Sequence, residues 1–290
     1  MVVQQLINGL TIGSIYGMVA LGYTLAYGIL GLINFAHGDV YMVGAFVAYF
    51  CISVLKLNII ISLIISLVFS GILGALIEFT AFRSIRHGSR SSQLISAIGV
   101  SIILQNTVML SMGSDTKSFP QIVNTTAYEF SNITISSTQI LIMVVSVIFM
   151  IMLYFLIYRT RVGISMRSTA QDSAMSSLMG INVNRVISIT FSVGAVFGAA
   201  AGVLVGIYYN SIVFNMGSSM GIKAFVAAVL GGIGNIPGAM LGGLVLGLAE
   251  SLGATLISAK YKDAFSFIIL ILVLLFKPTG LFGKREIEKV

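Results

Sequence analysis

The chain has 290 residues, of which 57% are hydrophobic and 9% are charged, and its mean hydropathy is +1.04. Soluble domains carry about 25% charged residues, so this composition excludes a soluble protein and indicates an integral membrane protein. The formal net charge of +7 does not indicate nucleic-acid binding, because most basic residues fall in three clusters between or after apolar segments. The clusters are Arg83, Arg86 and Arg90; Arg159, Arg161, Arg167 and Arg185; and Lys277, Lys284, Arg285 and Lys289.

Long segments of the chain contain no Asp, Glu, Lys or Arg. They cover residues 1–38, 40–55, 57–77, 91–114, 130–158, 186–222, 224–249 and 264–276. A helix needs about 20 mostly apolar residues to cross a bilayer, whereas the strands of a membrane barrel alternate apolar and polar residues. Because these segments do not alternate, the sequence predicts an all-α integral membrane protein. We expect a polytopic bundle of eight or nine transmembrane helices, some short or re-entrant, in one domain over residues 1–290.

The basic clusters predict the orientation of this bundle. Short loops rich in Lys and Arg stay on the cytoplasmic side, which places loops 83–91 and 159–185 and the C-terminal tail inside. The loops expected outside are 113–138, 210–220 and 260–263. The N-terminal stretch MVVQQLINGL has no basic region ahead of its apolar run, so it is predicted to be a retained helix rather than a cleaved signal peptide.

The predicted helices follow from the apolar segments and these loops. They cover residues 5–28, 40–55, 58–82, 92–112, 139–158, 186–209, a short segment that ends near 234, 238–258 and 264–276. If residues 31–39 lie inside, there are nine spans and the N-terminus is outside. If residues 1–55 hold one span and a re-entrant piece, there are eight spans and the N-terminus is inside. The sequence leaves both topologies open.

The stretch LGLINFAHGDVYMVGAF, residues 30–46, places Asn34, His37 and Asp39 in an otherwise apolar region. Irregular backbone at membrane depth is tolerated only where it is buried in protein or lines a water-filled space. One interpretation is a polar hinge, in which Asp39 caps the next helix and Asn34 satisfies freed backbone groups. The other is a substrate-facing segment of a translocation path or gate. The residues alone leave both open.

Two acids lie within predicted spans. Glu78 is about one turn from arginines of the first basic cluster, which favours an ion pair at the inner surface, reached by snorkelling. Glu250 follows Gly243 and Gly247 by seven and three residues, so it faces protein rather than lipid. It is a candidate for the translocation path or a helix junction, and equally for an internal hydrogen bond.

A second break, GGIGNIPG at residues 231–238, contains Asn235, which is a further candidate for the path or gate. The stretch is similar to a dinucleotide-binding fingerprint. However, Pro237 stands in place of the third glycine, and no strand precedes it. No nucleotide site is therefore predicted here.

Glycines recur at intervals of four residues in the predicted helices. The longest series is Gly194, Gly198, Gly202 and Gly206, and shorter series occur in the first and eighth predicted helices. Small residues four apart form a flat stripe that a second helix backbone approaches closely. We expect most of these stripes to pack helices within one subunit rather than to form a dimer interface.

The inside loop 159–185 contains a run of helix-forming residues. Its predicted cap is Ser168 or Thr169, and its predicted end is Gly180. Such a helix either lies against its own bundle or offers a small apolar face to a partner. That face would carry Ala170, Ala174 and Leu178.

Several catalytic and metal-binding motifs are missing from the sequence. It has no G-x-x-x-x-G-K-[ST], so it cannot cradle ATP by itself, and its two histidines cannot form a zincin motif. Cys51 is the only cysteine, which excludes a disulfide and a cysteine-based metal site. The chain is therefore predicted to be no enzyme and to hold no metal.

Three segments together resemble the permease subunits of branched-chain amino acid ABC importers, most closely the LivH type of the LivH/LivM permease family. They are GLINFAHGDVYMVGAF, RVGISMRSTAQDSAMSSLMGIN and FVAAVLGGIGNIPGAMLGGLVLGLAES. The similarity runs in consistent order from about residue 5 to residue 282. The motifs are more specific for the family than for the substrate, because related permeases for urea, short amides and other amino acids share the pattern.

The resemblance implies a multi-pass permease of the bacterial plasma (inner) membrane that forms the path with a second, related permease. Two cytoplasmic ATPase subunits would bind ATP and Mg, so no cofactor is expected in this chain. An extracytoplasmic binding protein would deliver the amino acid. The loop helix around Ala174 to Ile181 corresponds to the element that docks into the ATPase, with Asp172-Ser173-Ala174 in place of the Glu-Ala-Ala form of other importers. The coupling residues implied are Arg167, Asp172, Ala174, Leu178, Gly180 and Ile181.

An ion-coupled secondary transporter is the alternative function. It would use Glu250, Asp39 and His37 as a relay for protons or sodium, but it does not account for the docking-like inside loop. For either kind of transporter, the candidates for the path or gate are Asn34, His37, Asp39, Asn235 and Glu250.

Overall fold

The computed structural model describes residues 2–31, 34–86, 88–121, 126–130 and 133–283, and helices dominate it. The α-helices are α1 (Val2–Leu30), α2 (His37–Ser53), α3 (Ile59–Ile77), α4 (Arg90–Met112), α5 (Ser137–Arg159), α6 (Arg161–Gln171), α7 (Ser173–Leu178), α8 (Val183–Tyr209), α9 (Met216–Gly231), α10 (Ile236–Leu256) and α11 (Lys262–Phe276). A π-helical turn, Glu78–Phe82, extends α3, and a 3₁₀ turn, Ala259–Tyr261, precedes α11. The predicted helical membrane fold is confirmed.

Short strands lie in the polar segments at one end of the bundle. Strand β1 (Lys117–Ser118) pairs antiparallel with β4 (Ser211–Ile212), and β2 (Ala127–Phe130) pairs antiparallel with β3 (Ile133–Ser136). The β1–β4 pair fastens the segment after α4 to the end of α8.

Within the described residues, six helices are long and apolar enough to cross a bilayer. They are α1, α3 with its π-helical turn, α4, α5, α8 and α10. Helices α2, α9 and α11 have 17, 16 and 15 residues, fewer than the about 20 that a full crossing requires. The predicted number of eight or nine transmembrane helices is therefore not confirmed.

Polar residues at the helix starts explain where most helices begin. A side-chain oxygen accepts a backbone N–H of the first turn, which satisfies one of the donors that a helix leaves unpaired. At α5, Ser136 and Gln139 form a complete capping box. The other capping residues are Asn58 for α3, Ser89 for α4, Thr160 for α6, Asp172 for α7, Asn182 for α8 and Asn235 for α10.

The bundle has a basic end and an opposite end. At the basic end, Leu30 at the end of α1 lines a groove with Arg86 and Asn184, and the Arg86 guanidinium donates to Asn184 Oδ1 at 2.8 Å. At the opposite end, the Gln4 amide donates to the Thr134 carbonyl at 2.8 Å. Helix α1 therefore runs toward the basic end and α8 runs away from it.

Helix α2 begins in the middle of the bundle rather than at one of its ends. Its first residue, His37, lies against Gly22 of α1 and Gly198 of α8, both more than two turns from either end of their helices. From there α2 follows α8 to the opposite end, where the Tyr49 and Phe119 rings are 6.4 Å apart between centroids. Thus α2 is a half-helix that starts at mid-depth.

Helix α9 also begins at mid-depth, directly against the start of α2. Its Gly217 and Gly221 face Gly38, so closely that a Cβ on Gly221 would lie 3.3 Å from the Gly38 Cα. Helix α9 then runs to the basic end, where Gly231 lies beside the start of α10. The N-termini of the two half-helices therefore meet, and the helices diverge to opposite sides.

The segments α1–α3 and α8–α10 repeat one arrangement at a constant interval along the chain. The matched positions are Leu30 and Tyr209, which end α1 and α8; Gly31 and Asn210, which have φ of 66° and 51°; His37 and Met216, which begin α2 and α9; and Ile77 and Leu256, which end α3 and α10. Phe35 and Phe214, and Gly38 and Gly217, are identical residues at the same interval.

The packing of the two segments follows the same pattern. The contact between α1 and α10 corresponds to the contact between α8 and α3. In the same way, the contact between α2 and α8 corresponds to the contact between α9 and α1. The two long helices, α1 and α8, also contact each other, and so do the two half-helices, α2 and α9. Because α1 and α8 run in opposite directions, the two segments form an inverted repeat, an organisation common in membrane transporters.

The glycine stripes bring helix backbones together within this chain. On α8, Gly194 faces Gly22, Gly198 faces His37, Gly202 faces Tyr41 and Gly206 faces the Phe119 ring. On α1, a Cβ added to Gly13 would lie 2.8 Å from the Leu244 Cα and 2.9 Å from the Gly243 carbonyl oxygen of α10. These contacts are packing contacts inside one subunit, as the spacing predicts.

The inside loop forms two helices, α6 and α7, instead of the single helix predicted. The predicted cap, Ser168 or Thr169, is wrong, because Thr160 caps α6 and Asp172 caps α7. The Asp172 carboxylate accepts a backbone N–H of α7 at 2.9 Å, and this local bond competes with a continuous helix. Gly180 follows α7 with φ of 85°, so the predicted end is correct.

The contact between α1 and α10 makes a testable prediction. Gly13→Ala should lower the melting temperature of the purified protein, because the added methyl group meets helix backbone, and overpacking costs about 1–3 kcal/mol. The matched control is Gly99→Ala on α4, where an added Cβ has no neighbour within 4 Å. Thermal unfolding in detergent measures both variants. Equal melting temperatures for the two would contradict the close helix contact.

Candidate translocation site

A buried carboxylate lies where the starts of α2 and α9 meet. Asp39 is in the first turn of α2 and is 1% exposed. The prediction that it caps α2 is wrong, because Ala36 occupies the cap position and no side chain caps this helix. Instead, Asp39 Oδ1 accepts from the Gln105 amide of α4 at 2.9 Å. Gly217 makes room for it, since a Cβ there would lie 2.6 Å from Oδ1.

Gln105 connects this carboxylate to the surface of the subunit. Its amide nitrogen lies 2.9 Å from the Ser218 hydroxyl of α9 and 3.2 Å from the Ser101 hydroxyl of α4. Ser218 is exposed, whereas Gln105 is half-buried. A chain of polar groups therefore runs from Asp39 to the surface at mid-depth, where polar side chains are costly and typical of substrate paths.

Two buried side chains beside Asp39 have unused hydrogen-bonding capacity. His37 and Tyr23 are 5% and 3% exposed, and their rings meet edge to face with centroids 4.9 Å apart. His37 Nε2 and Tyr23 Oη have no hydrogen-bond partner among the described residues. Unpaired buried polar groups are unfavourable and call for a functional explanation.

Asn34 performs the backbone role that the sequence suggested for it. Its Oδ1 accepts the Ala36 N–H at 3.1 Å, and its carbonyl accepts the His37 N–H at 3.0 Å. It is buried and lines a small cavity together with His37 and Thr190. The polar break thus combines a hinge at Asn34 with the buried side chains of His37 and Asp39.

Glu250 lies at a junction of four helices. It is fully buried, and its Oε1 is 3.0 Å from Lys223 Nζ of α9. Tyr16 of α1 donates to Oε2 at 2.7 Å, and the Ser266 hydroxyl of α11 donates to Oε1. Lys223 also lies 2.7 Å from the exposed Asp263. These contacts hold α1, α9, α10 and α11 together.

Asn235 lies at the basic end and is not brought together with Asp39. Its Oδ1 accepts the Gly238 N–H at 3.1 Å, and its Nδ2 donates to the Phe282 carbonyl at 2.8 Å. It therefore caps α10 and fastens the segment after α11 to that cap.

Glu78 forms the ion pair that the sequence predicts, but with a different geometry. Its carboxylate is fully buried and lies 2.5 Å from Arg86 and 3.3 Å from Arg83. Ser188 of α8 also donates to it at 2.5 Å. Glu78 does not snorkel outward, because the arginines reach inward to it. Arg86 also bonds to Asn184, so this cluster ties the end of α3 to the start of α8.

Helix α7 presents an apolar surface at the basic end. Met175, Leu178 and Met179 are 56%, 82% and 78% exposed. Ala170 does not share a helix face with Leu178, because the chain breaks at Asp172 between α6 and α7. The exposed apolar face thus differs from the predicted one and consists mainly of Met175, Leu178 and Met179.

The turn after α7 is fixed by backbone hydrogen bonds. The Gly180 N–H bonds to the Ser177 carbonyl and the Ile181 N–H to the Ser176 carbonyl, both at 3.0 Å, which is a Schellman motif. Ile181 packs against the hydrophobic core. The motif connects the exposed α7 rigidly to α8.

The remaining coupling candidates lie on the same surface. Ala174 lines the groove of about 800 Å³ between α7, Arg86 and Leu30 at the end of α1. The Arg167 guanidinium lies 5.4 Å from the centroid of the Tyr158 ring. The structure thus brings the coupling candidates to the basic end, well apart from the Asp39 cluster.

Several site residues were missed by the sequence analysis. Lys223 is the lone charge between two apolar segments, and that isolation could have identified it as the partner of Glu250. Gln105 was visible as an amide inside a predicted span. Tyr23 and Ser218 gave no signal, because a tyrosine in an apolar helix and a serine before one are ordinary.

Two half-helices that meet at mid-depth around a polar cluster define a class of protein. This organisation, with an inverted repeat, is typical of membrane transport proteins. Comparison with known proteins then identifies the family.

Residues 5–274 match the family described as branched-chain amino acid transport system / permease component. The chain is 48% identical to the high-affinity branched-chain amino acid transport system permease protein BraD of Pseudomonas aeruginosa, over 99% of this chain and 97% of that protein. It is 45% identical to the corresponding protein LivH of Escherichia coli, with the same coverage. A probable branched-chain amino acid transport permease protein LivH of Methanocaldococcus jannaschii is 30% identical, over 92% of this chain and 88% of that protein.

The chain belongs to this family of permease components, and the resemblance seen in the sequence is confirmed. It is a multi-pass membrane protein with the role of a transport permease.

The Glu250 junction makes a testable prediction. Lys223→Met should destabilise the protein by about 3–5 kcal/mol, because it leaves a buried carboxylate without its nearest cation. The double variant Lys223→Met with Glu250→Gln should recover most of this loss, since both charges are then absent. Thermal unfolding of the purified variants measures the effect. A single variant as stable as the unaltered protein would show that the pair contributes nothing.

Proposed function

We propose that this chain is a transmembrane permease subunit of an ATP-driven ABC importer for branched-chain, aliphatic amino acids. The observation that carries this proposal is the similarity, over nearly the full length, to permeases of branched-chain amino acid transport systems. The importer lies in the bacterial inner membrane. A second, related permease completes the path, two ATPase subunits supply energy, and a binding protein delivers the substrate.

The path passes the meeting point of α2 and α9. Asn34, His37 and Asp39 belong to it, whereas Glu250 and Asn235 hold the surrounding helices in place. An aliphatic side chain needs few polar partners, which agrees with the small number of charges inside the bundle. Residues 34–36, before α2, and residues 210–215, before α9, lie on opposite sides of the contact between the two helix starts, so each is placed to gate one side.

The orientation follows from the distribution of charge. Lys- and Arg-rich loops remain in the cytoplasm, so the basic end faces the ATPase subunits. Because α1 ends at Leu30 beside Arg86, the N-terminus then lies outside. In the first 55 residues, α1 crosses completely and the chain returns to the outside through the half-helix α2, which is the course of the nine-span topology with the N-terminus outside.

Movement of the ATPase subunits is transmitted to this chain through α7. Its exposed apolar side chains offer a docking surface for an ATPase, and the turn at Gly180 passes the movement to α8. The bond between Arg86 and Asn184 and the pairs of Glu78 extend this connection to α3. A chain without a P-loop thereby uses ATP that another subunit binds.

An ion-coupled transporter is less consistent with the contacts. Its relay would include Glu250, yet that carboxylate is held by Lys223, Tyr16 and Ser266. These contacts account for the burial of Glu250 as part of a helix junction, so no relay is needed to explain it.

Affinity purification from the native membrane in mild detergent tests the importer. We expect a P-loop ATPase and a second permease to co-purify with this chain. Recovery of a stable oligomer without any ATPase would overturn the importer. Transport that persists after ATP depletion but stops with an uncoupler would then favour ion coupling.

The docking surface makes a testable prediction. Leu178→Glu should abolish most co-purification of the ATPase and most amino acid uptake, because a charge replaces an exposed apolar contact. The matched control is Gln171→Glu, which adds the same charge at an exposed position of the neighbouring helix. Pull-down and uptake assays measure both. Equal behaviour of the two variants would exclude α7 as the docking helix.

Asp39 makes a second prediction. Asp39→Ala should reduce the initial rate of uptake at least about tenfold, equivalent to about 1.4 kcal/mol, while expression and assembly stay near normal. Asp115→Ala removes an exposed acid at the opposite end and should have no effect. Uptake of labelled leucine, normalised to the amount of protein in the membrane, measures both. Parallel loss of expression and uptake would indicate a folding role alone.

A further inference from the structure

The buried acids of the bundle differ in how their charge is balanced. Glu78 lies within 4 Å of Arg83 and Arg86, and Glu250 lies within 4 Å of Lys223 and Lys262. Asp39 is equally buried, yet among the described residues no Lys, Arg or His nitrogen lies within this distance of its carboxylate. A buried carboxylate without a cation is costly, so its retention calls for a cation from elsewhere.

We propose that Asp39 binds the α-ammonium group of the amino acid during its passage through the membrane. This inference rests on the proposed function and names the group of the substrate that is recognised at mid-depth. The amide of Gln105 now donates to Asp39 Oδ1 at 2.9 Å, which is the kind of bond that an ammonium group would make. A substrate at this site replaces the Gln105 amide on the carboxylate.

The site is accessible from the surface through a short polar route. Ser218 is exposed and lies 2.9 Å from the same Gln105 nitrogen. The Gln105 amide bridges this hydroxyl and the carboxylate, so it must leave Asp39 Oδ1 before the ammonium group binds there.

Buried polar groups around Asp39 provide further contacts. Tyr23 Oη and His37 Nε2 are buried and lack partners among the described residues. Tyr23 Oη lies at the face of α9 that touches α2, 3.1 Å from where a Cβ on Gly221 would be. Tyr23 Oη can donate to the substrate carboxylate or accept from the ammonium, whereas His37 Nε2 points toward Gly22 of α1.

The helix starts supply the complementary charge. Helix N-termini carry a partial positive charge that attracts a carboxylate. Unlike the capped helices α3 to α8 and α10, α2 and α9 have no side-chain cap. Asp39 therefore provides the negative group for the ammonium, and the partial positive charge of the two helix starts attracts the carboxylate.

Cysteine labelling tests the charge of this site without requiring transport. Cys51 is the only native cysteine of this chain, so Cys51→Ala gives a background in which Ser218→Cys is the chain's sole thiol, and labelling is read on this chain alone. Membranes that contain the full transporter are treated with a cationic methanethiosulfonate, the trimethylammonium-ethyl reagent, or an anionic one, the sulfonato-ethyl reagent. The second thiol position, Ser111→Cys, is exposed on α4 nearer the opposite end and serves as the control.

The cationic reagent should modify the Ser218→Cys variant faster than the anionic one, because an ionised carboxylate lies nearby. This preference should exceed that of the Ser111→Cys variant by about threefold to tenfold, as expected for a nearby charge that is partly screened. Asp39→Asn should remove the preference while labelling continues. If the preference is absent, or if it survives Asp39→Asn, the proposal is wrong. If Ser218→Cys does not assemble, Ser219→Cys on the same exposed turn replaces it.

Protection by small molecules tests the substrate group. Leucine and isoamylamine, which carry the ammonium group, should slow the labelling of the Ser218→Cys variant, whereas isocaproate, which lacks it, should not. Asp39→Asn should abolish protection by isoamylamine. Equal protection by isocaproate would overturn the assignment of the ammonium group to Asp39. Failure of the importer would instead appear as a missing ATPase or missing uptake, with the charge preference of the Ser218→Cys variant unchanged.

Discussion

The contact between the starts of α2 and α9 is the constraint on which the rest of this structure depends. It requires glycine at Gly38, Gly217 and Gly221, because a Cβ at any of them would meet backbone or the Asp39 side chain. Because both half-helices begin at this contact in the middle of the bundle, neither spans its full depth. The long helices α1 and α8 pack around them, and the glycine stripes of the long helices permit that close packing.

Charge is handled in two ways inside this apolar bundle. Glu78 and Glu250 are neutralised by cations and hydrogen-bonded by neighbouring helices, so their main effect is to fix helix positions. Asp39 is bonded to a neutral amide instead. Because an acid inside a membrane costs about 2.5–3.5 kcal/mol even on insertion scales, the first arrangement is explained by structure and the second requires a function.

The sequence predicted the helices well because apolar segments and charged loops report directly on membrane contact. The predicted number of spans is not confirmed, since hydropathy measures the length of an apolar run and not the depth at which a helix begins. The prediction of a single loop helix was wrong because Asp172 caps a separate helix, α7. The prediction that Asp39 caps α2 was wrong because Ala36 occupies the cap position. The Asp39–Gln105 bond joins residues far apart in the chain, and no local pattern predicts it.

The two halves of the inverted repeat carry different residues at equivalent positions of the site. Ser218 occupies the position in α9 that Asp39 occupies in α2, at the same interval that relates the helix ends. Gln105 lies within 3 Å of both. Two carboxylates at these positions would repel each other, whereas one acid and one hydroxyl avoid a second negative charge beside Asp39. A zwitterion has one ammonium group, and a repeat with one acid at its centre matches it.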